Sequence, residues 1–168
     1  MCRVAIREFE ATTASVPRAR HWVAEKLTRW SVTEASEAAQ LLVTELMSNA
    51  VRHGSGRPVV SVSVAESSVE VGVSDTGILM PRPPRHPSGD WVDVDPTSQG
   101  GRGLHIVDSL ATEWGTRPLE TGKCVWFLLD AADWSYNPSC ACPDGSDGTV
   151  ILGSGRHALS MSGPWDAG

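Results

Sequence analysis

Apolar positions recur at two periods along this chain, and each change of period marks an element. From Val16, the positions Ala19, Val23, Leu27 and Trp30 follow at steps of three and four residues, the spacing of one helix face. Ser15, with Pro17 in the first turn, predicts where that helix starts. Ser31 and Glu34 form a capping-box pattern and predict a second, longer helix that stops at Gly54. Strict alternation then takes over in Val59–Ala65 and in residues 69–74, which predicts an antiparallel hairpin across Glu-Ser-Ser. Looser alternation over residues 3–10, with Val4, Ile6 and Glu8 on one side, reads as a first strand or as a ragged terminus, and residues 113–117 and 124–129 predict a closing hairpin. Between these, residues 104–110 return to the helical period.

Two stretches carry no period. Residues 78–98 contain Pro81, Pro83, Pro84, Pro87, Gly89 and Pro96, and read either as a lid between two glycine segments or as a solvated surface loop. Residues 131–168 are rich in Gly, Ser, Pro and Asp and read as a disordered tail, in which Val150 to Leu152 could pair locally. A single folded domain over residues 1–130 is the expected organisation of the 168-residue chain. Trp22, Trp30, Trp126 and Phe127 are packing aromatics in this reading.

Charge and cysteines narrow the function classes. A net charge of −6, without a Lys/Arg stripe, argues against direct nucleic-acid binding, which needs cations to displace phosphate counterions. No apolar run approaches the ~20 residues of a membrane span, and the N-terminus has no signal-peptide pattern, so a cytoplasmic protein with no membrane contact is expected. Cys2, Cys124, Cys140 and Cys142 suit neither a disulfide framework nor the paired spacing of a structural zinc site, and reduced thiols are expected.

Residues 41–54 hold the first candidate chemistry. At about 100° per residue, Glu45, Asn49 and His53 fall within roughly 80° of one another, beside Leu42 and Leu46. A carboxylate and a carboxamide at the edge of an apolar stripe are a site or an ordinary polar flank. Asp75 ends a strand and is followed by Thr76 and Gly77, which places a carboxylate where a ligand can come close to the backbone. Aspartic proteases share that tripeptide but need two copies about a domain apart or a homodimer, with carboxylates that share a proton, so the single copy here is a weak signal. Gly100, Gly101, Arg102 and Gly103 open the helix that begins at Leu104, where unpaired N–H groups and the positive dipole end favour anions. The segment lacks the ending of a P-loop, and it follows a long loop where a Rossmann fingerprint follows a strand.

In order and spacing, these segments resemble the nucleotide-binding motifs of the GHKL (Bergerat-fold) ATPase superfamily. Glu45-Leu-Met-Ser-Asn49-Ala resembles its Asn-bearing motif, Asp75-Thr-Gly77 its Asp-x-Gly motif, and Gly101-Arg-Gly103-Leu104 its second glycine motif. The resemblance implies a two-layer α/β sandwich, with helices on one face of a mixed, mostly antiparallel sheet. The short chain, the Asn-Ala-Val-Arg-His-Gly ending and the Trp-Gly strand most resemble the stand-alone anti-sigma-factor serine/threonine kinases of actinobacteria.

That resemblance implies ATP and Mg²⁺ as cofactors. Asn49 would ligate the metal through a hard oxygen, and Glu45 would orient or deprotonate the attacking hydroxyl. Asp75 would accept from the adenine amino group, with Gly77 making room for the ring. Gly101, Arg102, Gly103 and Leu104 would lie along the phosphates. His53 would contact phosphate or merely end its helix. His105 stands where many relatives carry another glycine. The implied partners are an anti-sigma-factor antagonist of the STAS type and a sigma factor, with a homodimer as the implied assembly. An ATP-gated binding module without phosphoryl transfer is the alternative, and an α/β protein with no nucleotide is a third reading.

Overall fold

The computed structural model describes residues 2–65, 67–78, 102–131 and 149–152. In chain order they form β1 (Cys2–Glu8), α1 (Ser15–Arg29), α2 (Ser36–His53), β2 (Val59–Ala65), β3 (Ser68–Asp75), α3 (Arg102–Leu110), β4 (Glu113–Leu119), β5 (Gly122–Asp130) and β6 (Thr149–Leu152). The strands make one sheet in the order β4-β5-β3-β2-β1-β6, and every described pairing is antiparallel. The fold is the expected two-layer α/β sandwich.

Alternation decides which face the helices cover. Val60, Val62 and Val64 of β2 face the same way as Val69, Val71 and Val73 of β3 and Val125, Phe127 and Leu129 of β5. All nine are buried, and they share one core with Val23 and Leu27 of α1 and Leu42, Val43, Leu46 and Met47 of α2. Each such side chain contributes roughly 1.5–3 kcal/mol when it leaves water. The intervening residues of β2 and β3 include Ser61, Ser63, Gly72 and Ser74, which are small or polar, as the face away from the helices requires. Asp75 and Lys123, paired in register, continue the row of Val73 and Val125 on the helix side. Two charges therefore stand at the end of an apolar row.

Trp22 and Trp30 are buried as expected, and Trp22 meets Phe9 edge to face at 6.1 Å between ring centroids. Both hairpin turns are tight: Ala65 opposes Ser68, and Leu119 opposes Gly122. Of the residues expected to form a tail, Thr149–Leu152 pairs with Cys2–Ala5 along the edge of β1. The expected lid, from Leu79 onward, lies outside the described residues.

One expected helix start is corrected. Ser31 does not cap α2, which begins at Ser36 after Ala35 and has no side-chain cap. Instead Ser31 takes a φ of 61°, while Val32 N–H donates to Leu27 O at 2.9 Å and Ser31 N–H to Thr28 O at 3.0 Å. That pattern closes the C-terminus of α1 with a left-handed residue. The Ser31/Glu34 spacing thus coincides with a helix stop. Ser15 is the first residue of α1, the expected start of that helix; it is buried, and its hydroxyl sits 3.3 Å from that of Thr12 and does not cap the helix.

Candidate functional site

The loop after α2, the end of β3 and the start of β5 meet at Asp75. Its carboxylate is buried, with the residue 5% exposed. Oδ1 accepts the Gly77 N–H at 2.7 Å and the Lys123 ammonium at 2.8 Å. Lys123, also 5% exposed, donates to Gly77 O at 3.2 Å as well. Thr76 N–H donates to Ser55 O at 2.9 Å and ties the two loops together.

Close approach explains the glycines of this knot. A Cβ at Gly77 would lie 2.7 Å from Asp75 Oδ1 and 3.1 Å from Lys123 Nζ. One at Gly54 would meet Ala50 O and lie 2.7 Å from Asp75 Cγ. Gly54 has an ordinary extended conformation, φ −82° and ψ −172°, so space and not backbone freedom requires glycine there. Its N–H donates to Ala50 O at 3.0 Å, which makes it the expected end of α2.

A second convergence lies where α2 meets α3. Glu45 and Asn49 are half-buried, and neither side chain has a hydrogen bond or ion pair among the described residues. Gly103 packs against both: a Cβ there would lie 2.7 Å from Glu45 Oε2 and 3.5 Å from Asn49 Nδ2. A carboxylate and an amide are thus held side by side with their polar atoms uncommitted. Among the described residues no group of three or more His, Cys, Asp or Glu comes together, so a cation here would take further oxygens from a ligand or water.

The sequence pattern of the histidine kinase-like ATPase domain matches residues 9–129, which include both convergences. The chain belongs to that family. It is an ATP-binding, kinase-like domain of the GHKL superfamily, and this ATPase domain contains both the Glu45/Asn49 pair and the Asp75 knot. A similar solved structure is the histidine kinase domain from the Erythrobacter litoralis EL346 blue-light activated histidine kinase, 22% identical, with a TM-score of 0.42. The similarity covers 71% of this chain and 60% of that one. No curated protein matches the chain.

Other residues of this ATPase domain fall where their chemistry predicts less. Gly103 lies inside the first turn of α3, which begins two residues before the expected Leu104. Leu104 buries its side chain in the core, leaving only its backbone for a ligand. His53 is the last residue of α2 and is exposed, and no described contact joins it to either convergence. Gly101 and the side chains of Arg102 and His105 lie outside the described residues.

Lys123 belongs to none of the sequence motifs, although alternation offers a signal for it. It occupies the inward register of Val125, Phe127 and Leu129, where a charge needs a reason. Cys124, beside it, faces the other way; burial pushes its thiol above the ordinary value, against a smaller downward pull from the Ser74 hydrogen bond. It is a protonated structural thiol at neutral pH. No helix among the described residues is long and apolar enough to cross a membrane.

Proposed function

We propose that this ATPase domain is an Mg²⁺-dependent protein serine/threonine kinase of the anti-sigma-factor type. Its substrate is a small antagonist protein of the STAS type, and a sigma factor is its second partner. The convergence of uncommitted Glu45 and Asn49 on Gly103 carries this reading. A carboxylate with no partner among the described residues is available to receive a proton, whereas one serving the fold they form would already be paired.

The donor set suits a hard cation. Asn49 offers a carboxamide oxygen and Glu45 a carboxylate, and the missing Cβ of Gly103 leaves the Glu45 carboxylate uncrowded beside α3. Mg²⁺ would supply charge neutralisation across the phosphates, with Asn49 as its protein ligand. Asp75, fixed by Gly77 and Lys123, accepts from the adenine amino group. The substrate hydroxyl oxygen bonds to the γ-phosphorus as the bond to the bridging oxygen of ADP breaks, and its proton passes to Glu45. Positioning supplies most of the acceleration in such a transfer.

The same reading places the protein in the cytoplasm as a homodimer, with no nucleic acid bound directly. Incubation with γ-labelled ATP, Mg²⁺ and purified STAS-type antagonist proteins tests it. The expected product is an antagonist carrying label on an acid-stable serine or threonine phosphate. Acid-labile label would instead mark transfer to histidine, and binding of ATP without transfer would leave an ATP-gated binding module.

A further inference from the structure

We propose that Lys123 is a base-reading residue: with Asp75 it presents a donor and an acceptor side by side that match N1 and the 6-amino group of adenine. This deepens the nucleotide reading above and rests on it.

Hydrogen-bond capacity is the starting point. An ammonium carries three donors and no acceptor, and a carboxylate only accepts. Lys123 uses one donor on Asp75 Oδ1 and one on Gly77 O. Among the described residues nothing takes the third. Asp75 Oδ1 already receives Lys123 and the Gly77 N–H, while Oδ2 has no partner among them. The pair thus keeps one donor and one acceptor in reserve. Buried ion pairs are weak devices for stability, because desolvation offsets most of their attraction. A pair with unused capacity on both partners fits a ligand better than it fits packing.

Which base it fits follows from the same count. Adenine offers N6–H as a donor and N1 beside it as an acceptor, matching Oδ2 and the third Lys123 proton. Guanine in that pose would set O6 against the carboxylate and N1–H against the ammonium, two like-polarity contacts at once. Shifted so that O6 meets Lys123 and N1–H meets Oδ2, guanine would leave its 2-amino group without an acceptor, because Oδ1 is taken. One open carboxylate oxygen serves adenine and falls short for guanine. Asp75 alone recognises only the amino group; Lys123 adds the ring nitrogen and a second ground for rejecting guanine.

The test compares ATP, 1-deaza-ATP and GTP by calorimetry on the full chain with Mg²⁺. In 1-deaza-ATP a C–H replaces N1 and the amino group stays. The wild type is expected to bind 1-deaza-ATP at least about tenfold more weakly than ATP, and GTP about a hundredfold more weakly or worse. In Lys123→Met the ATP to 1-deaza-ATP ratio should fall to near one. Lys123→Gln, which keeps a neutral donor, should retain part of it and serves as the variant if Lys123→Met does not fold. A purely structural Lys123 would weaken both nucleotides equally and leave the ratio alone. Equal binding of ATP and 1-deaza-ATP by the wild type overturns the role of Lys123 while the ATP site stands. Failure to bind ATP at all overturns the proposed function and this inference together.

Discussion

Lys123→Met unfolds with about 3–5 kcal/mol less free energy than the natural chain, the usual cost of stranding one charge of a buried pair. Asp75 and Lys123 are each 5% exposed and stand 2.8 Å apart, so the little solvent that reaches the carboxylate does not replace the ammonium. Gly77 O loses its described side-chain donor at the same time. Asp75→Asn combined with Lys123→Met recovers most of the loss, since a neutral amide can keep the Gly77 N–H bond without a buried charge. Urea titration of the wild type and both variants reads this directly, as a shift in midpoint at unchanged slope. A midpoint for Lys123→Met equal to that of the wild type would show that Asp75 reaches water without its partner. With total stabilities of roughly 5–15 kcal/mol, the single variant has to be handled cold and well below its transition.

Glu45→Gln slows phosphoryl transfer by about a hundred- to ten-thousand-fold, the range for removing a positioned general base. Its affinity for ATP changes by less than about threefold, because the amide keeps the shape and Gly103 still fits against it. The two readouts separate the roles open to this residue. A loss of rate alone places Glu45 at the substrate hydroxyl. A fall in affinity that accounts for the whole loss would make it a nucleotide-holding residue, and the base would have to be sought elsewhere. Single-turnover measurement with γ-labelled ATP and the antagonist protein distinguishes them, since it removes product release from the rate.

Much of the fold was legible because burial imposes a period. Val60, Val62, Val64, Val69, Val71 and Val73 alternate without a break, and their register is the one the pattern demands. The steps of three and four residues in α1 likewise predicted which residues reach the core. Helix ends were less legible. Ser31 and Glu34 fit a capping box, yet tertiary packing of Trp30 and Val32, both buried, ends α1 there and defers α2 to Ser36. A local pattern cannot tell a left-handed stop from a cap.

The candidate site was legible in half. Glu45 and Asn49 announced themselves by standing at the edge of an apolar stripe, and Asp75 by ending a strand before glycine. Lys123 did not, because its partner lies 48 positions away and only the β3–β5 pairing unites them. Gly54 was expected for its place at a helix end, whereas its closeness to Asp75 is visible only in three dimensions. Long-range contacts of this kind follow from register, and register follows from the whole sheet.

Calorimetric titration of ATP into the wild type and Asn49→Ala, with and without Mg²⁺, tests the central claim most directly. The account predicts Mg²⁺-dependent binding by the wild type and an affinity at least about tenfold lower in Asn49→Ala, or ~1.4 kcal/mol. Most of the Mg²⁺ dependence should disappear with the amide. Well-folded wild-type protein that binds no ATP, or an Asn49→Ala variant that binds it with unchanged affinity and unchanged Mg²⁺ dependence, would contradict the account.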